Sequence, residues 1–243
     1  ESLGAQGTVS FLNDYFTVMV DCIQEEGGML DKFIGDAIMA IFGTPVAHDD
    51  DPDRGLRAAI KMMAGLNEFN VLRKSQGLSP VDHGMGLNTD QIVSGNIGSP
   101  KRMDYTVIGD GVNLAARVES SCKKYGAHIL MSEHTFRALK ATYRTRQIDR
   151  VIVKGKTVPV GVYEVLDYHT KDSFPNMIEV LEMFNNGIEY YNEGKWNDAI
   201  KQFKKAQKGN PDDKASNMYV KRCQILKKRN PKDWDGVWIA TSK

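Results

Sequence analysis

The chain of 243 residues has only three cysteines, Cys22, Cys122 and Cys223. They are odd in number and widely spaced, and none lies in a CxxC or Cys/His ligand pattern. That excludes a disulfide framework and a structural zinc site, and points to a reducing, cytoplasmic location. An excess of charge of one sign is missing too. Lys and Arg total 32 against 31 Asp and Glu, a net charge of +1, so no global field draws the chain onto nucleic acid or an anionic membrane. Any phosphate site must be built locally. No apolar run approaches the roughly 20 residues that cross a bilayer, so no membrane span is expected. The opening Glu1-Ser2-Leu3-Gly4 has neither the features of a signal peptide nor an initiator methionine, and the chain reads as a piece of something longer.

Several common catalytic motifs are lacking as well. Gly155-Lys156-Thr157 copies the end of a P-loop, but the first glycine of that motif falls on Arg150, and no helix is expected to follow. There is no Gly-x-Gly-x-x-Gly turn, no His-Glu-x-x-His and no Gly-x-Ser-x-Gly elbow, which removes the usual support for dehydrogenase and hydrolase readings.

What is present is an ordinary globular composition, with 41% hydrophobic and 26% charged residues, enough to build a core without covalent staples. Leu12, Tyr15, Phe16, Met19 and Ile23 recur at helical spacing until Gly27-Gly28 stops them. Two apolar runs, Met29 to Ile34 and Ala37 to Phe42, are joined by Gly35-Asp36, a hairpin signature. Asp51-Pro52 supplies an N-cap and a first-turn proline for a helix with Leu56, Ile60 and Met63 on one stripe. Strands are expected at His83–Asn88 and Ile92–Asn96, with a short one at Thr106–Ile108. Asp110 then caps a helix from Gly111 to about Tyr125. Strands at Ile129–Met131, Val151–Val153 and Val158–Val165, with a helix over Glu133–Lys140, complete a mixed α/β domain over 1–168.

From Met177 to Lys228 the strand signal is lost and helical periodicity takes over. Gly187, Tyr190, Ala199, Phe203, Ala206 and Pro211 fall at the spacings of one tetratricopeptide repeat. Residues 169–243 are therefore expected to be a small all-α tail, with Ala215–Lys228 as a third helix. Its terminal Asp233-Trp234-Asp235-Gly236-Val237-Trp238 is expected to dock back on the body. One repeat cannot bury its own apolar face, so the tail should pack on the α/β domain or on a second copy of it.

Three segments carry residues suited to chemistry. Asp36 sits at a hairpin tip with Lys32 on the incoming strand; such a tip can hold out a carboxylate to a divalent cation, and taken alone Asp36 is also a common turn residue. Asn113 and Arg117 stand at i and i+4 near a helix N-terminus, a region suited to anions. A capped surface helix with an arginine salt bridge is the plainer alternative. Lys154, before Gly155, is either a phosphate contact or a solvated hairpin lysine.

In order and spacing, Asp31-Lys32-Phe33-Ile34-Gly35-Asp36, Gly95-Asn96-Ile97-Gly98-Ser99, Asp104 to Arg117 and Val153-Lys154-Gly155-Lys156 together resemble class III adenylyl and guanylyl cyclases, over roughly Glu1 to Tyr168. The resemblance implies an α/β (α+β) fold with a ferredoxin-like βαββαβ core, assembled as a homodimer with two shared sites. It makes Asp36 the second of two metal-binding aspartates for two divalent ions, Mg²⁺ or Mn²⁺. Lys32 and Thr106 become the purine-reading pair, Asn113 the ribose-orienting residue, and Arg117 and Lys154 the cations on the triphosphate. ATP is the implied substrate and cyclic AMP the product. A guanylyl cyclase resembles Glu with a small residue at the purine pair, and a catalytically inactive dimerisation module with a protein-binding tail is the reading from another class. Two departures stand out: the family's first strand, with its metal aspartate, is not in this sequence, and Asp90 replaces a usual glycine on a turn. An upstream sensor domain, or a protein contact through the tail, is the expected route of regulation.

Overall fold

The computed structural model describes residues 3–152 and 159–238. The first helix, α1 (Gly4–Glu25), buries Met19 and Ile23 and ends where Gly27 takes a left-handed φ of 76°, a conformation open to glycine at little cost. The hairpin β1 (Met29–Ile34) and β2 (Ala37–Ile41) turns on Gly35-Asp36, with Gly35 at φ 65°. Next comes α2 (Asp51–Ser75), which buries Leu56, Met62, Met63 and Leu66. Its N-cap is Asp50 rather than Asp51, which already lies in the first turn beside Pro52.

A four-stranded sheet follows in the order β3-β6-β8-β7, from β3 (Met85–Leu87), β6 (Ile129–Ser132), β7 (Thr145–Ile152) and β8 (Pro159–Val165). β3 and β6 run parallel and the other pairs antiparallel. Side chains alternate across the sheet, as the pleat requires. Ile129, Met131 and Val165 join Met19, Ile23, Leu56 and Leu66 on the α1/α2 face. Leu130, Ile148 and Val162 face the opposite way, toward Leu114 and Val118 of the helix α3 (Asp110–Tyr125). A separate, largely exposed ribbon pairs β4 (Val93–Ser99) with β5 (Arg102–Ile108), and the short α4 (Glu133–Ala138) follows β6. The order α1-β1-β2-α2-β3 is that of the expected core after its opening strand. Among the described residues the β1–β2 hairpin shares no ladder with β3.

The remaining helices are α5 (Met177–Asn192), α6 (Trp196–Gly209) and α7 (Lys214–Arg229). Gly187 lets α5 meet α6 closely, because a Cβ there would lie 2.6 Å from the Phe203 ring. Phe184, Tyr191, Phe203 and Tyr219 extend the same buried cluster that contains Leu130 and Ile148, so the helices pack on their own chain's sheet. Two buried charge clusters join them to it. Arg146 on β7 pairs with Glu164 at 2.6 Å and takes both carboxylate oxygens of Asp213, the N-cap of α7, at 2.7 and 3.0 Å. Arg222 on α7 reaches Asp149 at 2.7 Å, and Tyr125 at the end of α3 donates to the same oxygen.

Several sequence expectations change here. β7 begins at Thr145, six residues before the expected Val151, because its inward positions include Arg146 and Asp149, whose burial depends on ion pairs that apolar alternation does not reveal. β5 starts at Arg102 rather than Thr106, since an exposed ribbon carries no apolar pattern over its outer half. The aromatic end does dock back: Trp234 Nε1 donates to the Tyr191 carbonyl at 2.9 Å, and Trp238 lies against the Arg222 guanidinium.

Candidate active site

The β1–β2 hairpin is irregular at one place. Leu30 pairs with Ala40 and Lys32 with Met39, so Asp31 is an extra residue bulged out of the ladder. A bulge re-aims side chains that strict alternation would send to opposite faces. Here Lys32 Nζ lies 3.2 Å from Asp31 Oδ2, with the Asp31 side chain fully buried and that of Lys32 45% exposed. Thr106, buried on β5 opposite Gly95, donates its hydroxyl to the same Oδ2 at 3.0 Å. Two hairpins that share no ladder are thus tied at one carboxylate, and Lys32 and Thr106 are brought together by it.

Asp36 stands exposed at the hairpin tip and makes no hydrogen bond or ion pair among the described residues. Its charge is felt nearby: burial first, then the Asp36 carboxylate, pushes the Tyr15 phenol up to about 12. A lone, unpaired carboxylate fits Mg²⁺, which is held by one or two protein carboxylates together with substrate phosphates and water. The described residues contain no group of three or more His, Cys, Asp or Glu that would make a complete metal cage.

The third part is α3. Its buried stripe is Gly111, Leu114, Val118, Cys122 and Tyr125, which leaves Asn113 and Arg117 exposed on one other face. Arg117 forms no salt bridge among the described residues. The N-cap is Gly109 and not Asp110, which is the first helical residue and adds a carboxylate to the first turn. The placement of α3 is tightly determined. A Cβ on Gly86 of β3 would overlap the Glu119 backbone, and one on Gly111 would meet Asp90 Cβ at 2.6 Å. Asn88 donates to the Gly111 carbonyl at 3.0 Å and accepts from Ser132 at 2.6 Å, pinning the start of α3 to the sheet. Asp90, on its turn, accepts from the Gln91 amide. Lys154 lies outside the described residues.

Chemically, one hairpin holds out a carboxylate, a cation and an oxygen meet at a second spot, and an amide and a guanidinium stand free near a helix N-terminus. These groups suit a ligand with a hydrogen-bonding ring and a polyanion. The model of the adenylate and guanylate cyclase catalytic domain matches residues 1–168.

The chain belongs to that family.

Among curated relatives of this cyclase domain, the terminal-differentiation-specific adenylate cyclase of Dictyostelium discoideum is 34% identical over 92% of this chain and 10% of its own length. An adenylate cyclase of Anabaena cylindrica is 43% identical over 64% of this chain and 31% of its own. The chain therefore spans less than a third of the length of either. Two solved structures superpose at a TM-score of 0.58. The guanylyl cyclase Cya2 is 38% identical and covers 65% of this chain and 79% of its own; the adenylyl cyclase CyaB from P. aeruginosa is 34% identical and covers 67% and 84%.

Sequence reasoning did not single out Asp31, which meets Lys32 and Thr106, or Asn88, which pins the start of α3 to the sheet. The signal for Asp31 was an acidic residue inside an apolar strand, where aspartate is disfavoured; for Asn88 the sequence offers no signal beyond its place at a strand end.

Proposed function

We propose that this domain converts ATP to 3′,5′-cyclic AMP and pyrophosphate, as an adenylyl cyclase whose two sites are shared across a homodimer. The observation that carries the reading is the meeting of Lys32 and Thr106 on one carboxylate. An ammonium donor beside a hydroxyl oxygen suits the acceptor N1 and donor N6 of adenine, and mismatches the O6 acceptor and N2 donor of guanine. A guanylyl and an adenylyl cyclase structure are about equally similar to the chain, so the choice of base rests on this pair and not on overall likeness.

In this reading Asn113 orients the ribose, while Arg117 and Lys154 offset the triphosphate charge. The 3′-hydroxyl gives up its proton to solvent as its oxygen attacks the α-phosphorus in line, a new P–O bond forms, the bond to the β-phosphate oxygen breaks and pyrophosphate leaves. Catalysis is then positioning plus electrostatic stabilisation of the transferring phosphoryl group. Two divalent ions, Mg²⁺ or Mn²⁺, when bound would supply Lewis acidity toward the 3′-hydroxyl and the phosphates, with Asp36 as this chain's ligand to them.

A partner subunit is supported by exposed apolar side chains on the two hairpins, among them Phe33, Ile34, Val93, Met103, Tyr105 and Ile108, since such a patch on a soluble domain commonly marks an interface. Residues 169–243 complete the proposal as a tetratricopeptide-like unit beyond a catalytic domain ending at 168, available for a protein contact. The test of function is turnover of ATP and GTP by the full-length protein with Mg²⁺ or Mn²⁺. kcat/KM for ATP should exceed that for GTP by about tenfold or more, and Lys32→Glu with Thr106→Gly should move the preference toward GTP. Equal or faster turnover of GTP by the unmodified protein would overturn the reading.

A further inference from the structure

A threonine hydroxyl has a single hydrogen and two acceptor lone pairs, so what it offers a ligand depends on where that hydrogen goes. A carboxylate oxygen only accepts. Thr106 therefore gives its hydrogen to Asp31 Oδ2 and is left with lone pairs to present. Lys32 forms an ion pair with the same oxygen at 3.2 Å and has only N–H donors to offer a ligand.

Given the adenine-selective reading above, on which this rests, we propose that Asp31 is the positioning residue that sets purine selectivity, by fixing Thr106 as a hydrogen-bond acceptor beside Lys32, whose ammonium can only donate. Without Asp31 the Thr106 hydroxyl can rotate and donate to the O6 of guanine, while Lys32 remains a donor. Two further features set Asp31 apart from a structural strand residue. It is the bulged position of β1, the device that turns its side chain toward that of Lys32. Its carboxylate is also wholly buried, with Oδ1 meeting no partner among the described residues. An apolar residue would fill that space without the desolvation cost.

The experiment is a double-mutant cycle on the full-length enzyme, with the kcat/KM ratio for ATP over GTP as its readout. Asp31→Leu should lower that ratio about tenfold or more, mainly through KM for ATP, because the base lies away from the reacting phosphorus. Asp31→Asn keeps an acceptor oxygen and should hold the ratio within about twofold of the unmodified enzyme. In a Thr106→Val background, where there is no hydroxyl to orient, Asp31→Leu should change the ratio by less than about twofold. A folded Asp31→Leu enzyme with an unchanged ratio would overturn the proposal. So would effects that simply multiply in the double variant, or an Asn variant as unselective as the Leu variant. If Asp31→Leu does not fold, Asp31→Ala is read in the same cycle with the same criteria. An unmodified enzyme that already turns over GTP as fast as ATP defeats the adenylyl cyclase reading itself, and this inference with it. Clear ATP preference that survives Asp31→Leu defeats only the inference.

Discussion

Replacing Arg146 with methionine removes the one cation shared by Glu164 and Asp213, whose side chains, like that of Arg146, are only 2–3% exposed. Methionine matches most of the volume, so the loss is electrostatic rather than a cavity. Removing one partner of a buried pair typically costs 3–5 kcal/mol, because the remaining charge stays buried without compensation. Two carboxylates are stranded here, which places the expected cost at the upper end, about 4–5 kcal/mol. For a chain of this size each kcal/mol lowers Tm by roughly 2–4 °C, so a fall of about 8–20 °C is expected. Thermal unfolding followed by circular dichroism measures it. Asp213 also caps α7 and Arg146 stacks on Phe184 at 4.5 Å, so the helices should loosen from the sheet, and limited proteolysis after Tyr168 should accelerate. The triple variant Arg146→Met, Glu164→Gln, Asp213→Asn should recover part of the loss, since it strands no charge. An Arg146→Met protein that melts within about 2 °C of the unmodified one, no more than about a single kcal/mol would give, would show that this cluster does not hold the helices to the sheet.

Two other perturbations follow from the fold. Burial first, with His128 assisting and Asp82 opposing, lowers the His83 imidazole from 6.5 to about 4; the unfolded chain therefore binds more protons between those values. The contribution of neutral His83 is fully present above pH 6.5 and is lost as pH falls toward 4, so stability should drop by about 1 kcal/mol per pH unit in that window. Urea midpoints against pH should show a shallower slope in His83→Gln. Gly86→Ala sets a methyl against the Glu119 backbone, which cannot yield as a side chain can. It should cost about 1–3 kcal/mol and lower turnover more than an alanine placed on an exposed face of α2, because it displaces the helix that carries Asn113 and Arg117.

The legible parts of the molecule are those set by local rules. The β1–β2 hairpin followed from Gly35-Asp36 between apolar runs, and the common face of Asn113 and Arg117 on α3 from their i and i+4 spacing. The α5–α6 pair was marked by Gly187, Ala199 and Ala206 at the helix contact. What stayed hidden depends on partners distant in sequence. Arg146 and Asp149 are inward strand residues only because Asp213 and Arg222 meet them from α7. Asp31 was opaque because a bulge breaks the alternation by which strand faces are read, and because Thr106, 75 residues away, gives it its role.

The proposal that the site is shared between two subunits is tested most directly by mixing two inactive variants of the full-length protein. Asp36 lies on a hairpin and Asn113 on a separate helix, with no hydrogen bond or ion pair between them among the described residues. Asp36→Ala and Asn113→Ala should each abolish cyclic AMP formation, since each damages both symmetric sites. In a mixed dimer one site collects both lesions and the other none, so activity from ATP should reappear on mixing, rising with protein concentration as dimers exchange. A mixture that stays inactive while subunit exchange is demonstrated would contradict the account.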